Sequence, residues 1–412
     1  MSRRRRAWAP AVLACALAAA IAPAAPARAD GGASPAPEQP LPTVAQTLQD
    51  VQREGCAQPS GRTTDRTPWP QALLPPDGAW TLTRGGGVTV AVVGSGVDGA
   101  SPALAGRLTV GPRESGSGDA GRDCVGHGTL VAGLIAGRRP AGQGPAGLAP
   151  EARILAVAVT DDSGATNADL LAKGIRDAVD GGARVVAVAV SVPAPSDALS
   201  EALRHARAGG VLVVAPCAAD VDGARSGPVF PASYPGVLAV ADVGPNGAPP
   251  SGAARAGRID LAAPGDAVTG AGPGGGHFTA SGPSYATAYV AGAAALVLAR
   301  RPGLTPDQLV HRLETTAYRP GSVLPDPLLG HGTVDPVAAV TAELPEERGA
   351  GAAAPAPEEA GESLAVRPPV DPGAVRLALL VAGGSGAVVL VLAFAAVVRG
   401  LGRRGARRSG GG

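Results

Sequence analysis

Six short apolar runs recur through the middle of the chain, and stretches with helical period separate them. The runs are Gly87 to Val93, Arg153 to Val159, Arg184 to Val190, Val211 to Ala215, Val237 to Val240 and Arg258 to Ala262. They are rich in β-branched residues and show no clean polar alternation, which is the pattern of strands covered on both faces. Leu130 to Ala136, Asn167 to Asp180 and Ser196 to Ala208 lie between them and read as helices, with Asn167 as an N-cap. Ser284 to Arg300 and Thr305 to Thr316 read as two more. Strands that alternate with helices require right-handed crossovers and a parallel sheet with helices on both faces, an α/β fold. Aromatic residues make up only 2% of the chain and Gly is abundant at 61 residues. The core must therefore be Val, Leu and Ala, packed through close backbone approach.

The two ends carry different signals. Arg3 to Arg6 followed by the apolar stretch Ala7 to Ala25 and the small-x-small site Ala27-Arg28-Ala29 reads as a signal peptide over 1–29. Residues 30–84 are rich in Pro, Ala and Thr and read as an extension laid over the main domain, with one short helix over Val44 to Arg53. The main domain spans 85–344, and a Pro, Ala and Glu-rich linker follows over 345–374. Leu377 to Val398 is uncharged. At about 1.5 Å per helical residue it is long enough to cross a bilayer core, so 375–398 is the expected membrane helix. Arg399, Arg403, Arg404, Arg407 and Arg408 then mark 399–412 as a cytoplasmic tail. The expected location is the cell membrane, single-pass, with the main domain outside. The formal net charge of +1 gives no sign of a nucleic-acid partner.

Cys15 falls in the signal peptide, leaving Cys56, Cys124 and Cys217. Export permits disulfides, and Cys56 with Cys124 is the expected pair because the loop-like extension needs an anchor. Cys217 sits in an apolar run as a small buried hydrophobe. No cysteine spacing suggests a metal site, and no cofactor is expected.

Three further segments carry chemistry. Val90 to Val97 ends a strand at Gly94-Ser95-Gly96, Gly126-His127-Gly128-Thr129 opens one helix, and Gly282-Pro283-Ser284 opens another. Taken alone, Ser284 is an ordinary helix cap. In this order, and with Gly147-Leu148-Ala149-Pro150, Pro231 to Pro235, Ala262-Ala263-Pro264-Gly265 and Gly330 to Asp335 in register, the chain resembles the subtilisin-like serine peptidases over roughly residues 85 to 342. Within them it is most similar to the mycosins, membrane-anchored subtilases associated with type VII secretion in actinobacteria. The shared layout is a signal peptide, an extension, a cysteine before the His motif, a proline-rich linker and a C-terminal membrane helix. The resemblance implies His127 as general base and Ser284 as nucleophile, and a protein or peptide in the cleft, with secretion-machine components as partners.

The departures from that pattern are chemical. The family's aspartate position is Gly94, its oxyanion asparagine position is Ala219, the residue before the nucleophile is Pro283, and its substrate-pairing strand reads Ala189-Val190-Ser191. In subtilisin, loss of the aspartate costs about 3 × 10⁴ in kcat, and loss of the oxyanion side chain costs about 10²–10³. Two functions stay open at this level. One is a catalytically impaired subtilase homologue used for binding or assembly; the other is a working serine endopeptidase using Ser284 and His127. Asp98 and Asp123, each four residues from a motif position, are the candidate replacements for the missing aspartate. His205, His277, His311 and His331 read as surface or packing residues, with His277 near enough to Ser284 to line the cleft. An α/β-hydrolase reading fails, because no acid and histidine follow the serine in the required order.

Overall fold

The computed structural model describes residues 40–44, 55–139, 144–220, 226–253, 257–321 and 323–347. The expected signal peptide, the short helix over Val44 to Arg53 apart from Val44 itself, most of the linker, the 375–398 span and the basic tail lie outside them. Among the described residues no helix is long and apolar enough to cross a membrane.

Two short helices, α1 (Trp69–Leu73) and α2 (Asp77–Trp80), precede β1 (Thr89–Gly94) and β2 (Leu108–Arg113). Then come α3 (His127–Ala136), β3 (Arg153–Ala158), α4 (Ala168–Asp180), β4 (Val185–Val188), α5 (Asp197–Ala208), β5 (Leu212–Pro216), β6 (Val237–Val243) and β7 (Leu261–Pro264). A hairpin of β8 (Val268–Ala271) and β9 (His277–Ala280) leads into α6 (Pro283–Arg300), α7 (Pro306–Thr315) and α8 (Pro336–Thr341). β1 to β7 form one seven-stranded sheet in the order β2-β3-β1-β4-β5-β6-β7. Every pairing in it is parallel.

The sheet is covered as its apolar runs require. Along β1, Val90 and Val92 pack into the cluster that holds α3 and α6. Ala91 and Val93 point the other way, into the cluster that holds α4 and α5. The chain moves outward from β1 to β2 and β3, then crosses back to β4 on the other side of β1. That reversal leaves a crevice beyond the carboxyl end of β1, where α/β sheets commonly place their sites. Gly94 closes β1 at that end.

Several boundaries shift from the sequence reading, two of them near the polar segments. α3 begins at His127 and not at Leu130. β7 begins at Leu261 because Arg258 bonds Asp260 and the Tyr234 carbonyl in an irregular polar segment before it. The extension lies on the domain through backbone bonds. Val44 N–H donates to Thr279 O (3.0 Å), Ala57 N–H to Cys124 O (2.7 Å) and His277 N–H to Arg62 O (2.7 Å). The Trp69 and Trp80 indoles donate to the Asp266 and Leu148 carbonyls. A disulfide joins Cys56 to Cys124.

Candidate active site

His127 is the first residue of α3, behind the left-handed N-cap Gly126 (φ 85°). Asp123 holds this turn. Its Oδ1 accepts from Gly126 N–H (2.8 Å), and its Oδ2 accepts from Thr129 N–H (2.8 Å) and Thr129 Oγ1 (2.7 Å). Gly128 N–H donates to Ser95 Oγ at 2.9 Å, tying the start of α3 to the end of β1. Asp98 receives Ala100 N–H (2.9 Å) and Gly274 N–H. Both carboxylates are thus engaged in loop and cap geometry, and neither bonds the imidazole.

Ser284 is the second residue of α6, after Gly282 as N-cap and Pro283 as N1. Proline has no N–H, so Ser284 supplies the first backbone donor at the positive end of an 18-residue helix. The serine is fully buried. Its Oγ lies 2.8 Å from His127 Nε2. The structure therefore brings together the two residues that the motifs single out.

A third residue joins them that the sequence reading did not propose. Asp220, immediately after Ala219, turns its carboxylate onto the pair. Oδ1 accepts Ser284 N–H at 3.0 Å. Oδ2 lies 2.8 Å from His127 Nε2 and also accepts from Ser284 Oγ. The His127 and Asp220 side chains are 12% and 18% exposed, so this cluster is largely out of water. Gly282 makes the approach possible: at φ 146°, a Cβ built there would lie 2.5 Å from Asp220 Oδ1.

The other edge of the imidazole is bare. His127 Nδ1 is buried and has no hydrogen-bond partner. An ionised carboxylate can only accept, so the proton between His127 and Asp220 belongs on Nε2. A neutral ring then carries its lone pair on Nδ1, which suits a buried atom with nothing to donate to. A general base for Ser284 needs the opposite tautomer, with Nε2 free and Nδ1–H held by an acceptor. Gly94 provides no such acceptor. Around it there is room: a Cβ there would meet only the Ala189 Cβ, at 3.2 Å.

The surroundings are apolar and acidic. The Tyr285 ring sits 4.9 Å from that of His127, and burial raises its hydroxyl well above the usual range, so it stays neutral. Burial, and then the charge of Asp220, push the Asp242 carboxyl up to about 7. Burial likewise pushes the Cys217 thiol up to about 12, making it an inert packing group. His277 does not face the cleft. Its Nδ1 accepts from Thr64 N–H at 2.9 Å, and it lines a separate cavity of about 220 Å³ with Leu134 and Arg138. His205 pairs with Asp180 on the surface, and His331 lies 3.6 Å from Glu314. His311 sits on α7. Among the described residues, no group of His, Cys, Asp and Glu could hold a metal ion.

The comparisons with known proteins fit a helix-borne serine and histidine in contact beside a parallel sheet. The subtilase-family model matches residues 85–349. The chain belongs to the subtilase family. Mycosin-4 of Mycobacterium tuberculosis (strain ATCC 25618 / H37Rv) is 35% identical over 366 residues, covering 78% of this chain and 79% of its own. Thermitase of Thermoactinomyces vulgaris is 32% identical over 60% of this chain and 87% of its own. Among solved structures, the MycP3 protease from the type VII (ESX-3) secretion system superposes with a TM-score of 0.64. It is 32% identical, over 74% of this chain and 95% of its own. A chain of an intact ESX-5 inner membrane complex is also similar (TM-score 0.62, 26% identity), over 81% of this chain and 91% of its own. This subtilase thus has a mycosin-like subtilisin fold.

Proposed function

We propose that this chain is an exported, membrane-anchored mycosin-like subtilase homologue, catalytically impaired, that serves as a binding or assembly component of a type VII secretion machine. Two observations carry the impairment: the buried, partnerless Nδ1 of His127, and a glycine, Gly94, at the family's aspartate position. Without an acceptor there, nothing orients the ring as a base or steadies the imidazolium formed when Ser284 loses its proton. The partner class rests on the likeness to chains of an intact ESX-5 inner membrane complex and of the periplasmic assembly of that complex. The anchoring rests on the sequence layout: signal peptide 1–29, extension 30–84, peptidase-like domain 85–344, linker 345–374, membrane helix 375–398 and cytoplasmic tail 399–412.

A second reading, a working serine endopeptidase, is favoured by one observation, the 2.8 Å contact of Ser284 Oγ with His127 Nε2. A fluorophosphonate probe separates the two, since it labels a serine activated by its histidine. The impaired protein is expected to label only weakly. Strong labelling that disappears in Ser284→Ala would favour the endopeptidase. In cells, deleting the gene is expected to impair secretion while Ser284→Ala leaves it intact. A secretion block from Ser284→Ala alone would sink the assembly role.

A further inference from the structure

The missing aspartate at Gly94 explains a weak base, but it does not explain why a carboxylate sits on the serine. The donors around Asp220 converge from two helices. Ser284 N–H and Ser284 Oγ come from the start of α6, and His127 Nε2–H from the start of α3. In acyl transfer, the nucleophile's own N–H is one of the donors that steadies the negative oxygen of the tetrahedral intermediate. Asp220 Oδ1 already occupies that donor. A substrate carbonyl oxygen directed there would meet an anion in a site largely closed to water, where like charges repel strongly. The second carboxylate oxygen holds the proton on Nε2, the tautomer that cannot take the proton of Ser284.

We infer that Asp220 is a self-inhibiting positioning residue: its carboxylate fills the place of the scissile carbonyl oxygen and locks His127 in the non-basic tautomer. The seat is built for it. Gly282 clears the space that a Cβ would take from the carboxylate, and the helix end supplies a fixed positive partner. The inference deepens the impaired-subtilase reading and rests on it for the identity of the cleft, but it assigns a separate cause of silence, at Nε2 and not at the partnerless Nδ1.

The test uses the full chain and the same fluorophosphonate probe. Asp220→Ala removes the occupant, and Asp220→Asn replaces it with a side chain that can donate. Labelling of Ser284 is expected to rise at least about tenfold in Asp220→Ala and further in Asp220→Asn, towards the 10² range of one oxyanion donor, with Gly94 unchanged in both. The added signal must vanish when Ser284→Ala is combined with either. Variants that keep the parent's melting temperature yet label no faster would overturn the inference. A spectroscopic readout stands independently of any variant at 220. In the ¹⁵N-histidine spectrum of the parent at pH 8, assigned by loss of a signal in His127→Gln, Nε2 should be protonated. Protonation of Nδ1 alone would overturn the inference. The outcomes also separate this idea from the broader reading. Strong labelling of the parent with a further rise at Asp220→Asn would remove the impairment and keep the occupant. Weak labelling throughout would keep the impairment and remove the occupant.

Discussion

At the scale of single residues, the proposed impairment lies on both edges of one imidazole. Nδ1 is buried without a partner, and Nε2 lies 2.8 Å from Asp220 Oδ2. On that proposal, repair takes two substitutions. Gly94→Asp is sterically admissible, since the added Cβ would press only on Ala189 and by a few tenths of an ångström. Gly94→Asp with Asp220→Asn is expected to raise hydrolysis of an activated peptide ester by about 10³ or more over the parent, given the losses attached to each missing group in subtilisin. Each single change should give far less, because the two groups act on one proton transfer. A double variant no faster than the better single one would show that the cleft differs elsewhere. Asp242 offers a second measurable effect. Its buried carboxyl, raised to about 7, keeps a proton that the unfolded chain gives up from about pH 4. Stability from this group is therefore whole at low pH, falls as pH rises from about 4 to 7, and is flat above. Asp242→Asn should flatten that fall, by at most a few kcal/mol. Urea unfolding at pH 5 and pH 8 checks it: an unchanged difference between the two pH values in the variant would refute the assignment.

His127, Ser284 and Gly94 were legible because each sits at the end of a regular element whose motif sets its place. Asp220 was not. It lies one residue past the strand-end pattern Val213 to Ala219, in a loop. Its direction is set by Gly282, which is 62 positions later in sequence and adjacent only in the fold. No local period or composition marks such a contact. The partnerless Nδ1 was hidden in the same way, although Gly94 itself was plain in the motif.

At the scale of elements, the apolar runs that specified the sheet were read correctly because a doubly covered strand has no alternative use for an unbroken Val and Ala stretch. What escaped was the weakly patterned material. β2 carries a half-exposed sequence, with no buried residue and broken by Gly111 and Pro112, at the sheet edge. β8 and β9 have only four residues each, separated by the glycines at 272 and 274–276. Caps behaved as their chemistry demands. Asn167 accepts from Asp169 N–H and Leu170 N–H at the start of α4. At α7, Thr305 and Gln308 form a reciprocal capping box. Thr305 is exposed, so its replacement opens no cavity and isolates the cap. Thr305→Ala is expected to lower unfolding stability by about 1 kcal/mol, measured by chemical denaturation. A loss near zero would mean that Pro306 and burial of Leu309 suffice to start the helix.

At the scale of the molecule, the extension and the domain are joined through several backbone bonds and one covalent link. Cys56 and Cys124 are 68 positions apart, and closing a loop of that length is worth about 4 kcal/mol in the chain-entropy account. Cys56→Ser should therefore lower the melting temperature by roughly 10 °C, at about 2–4 °C per kcal/mol for a domain of this size. Calorimetry on the oxidised full chain provides the test. A shift under 2 °C would place the stabilisation in the backbone bonds from Ala57 and Arg62 instead.

The bridge also has a bearing on when the cleft takes shape. Cys124 stands three positions before His127, in the segment that Asp123 and Ser95 position. Thiols remain free in the reducing interior where a chain is made and pair only where oxidants are met. Before that encounter, the turn beneath the imidazole is held by hydrogen bonds alone. Afterwards it is stapled to the extension that covers it. Under the proposed export, the oxidation state of two sulfur atoms thus dates the cleft: its geometry is finished by the compartment the chain arrives in, and not by the ribosome that made it.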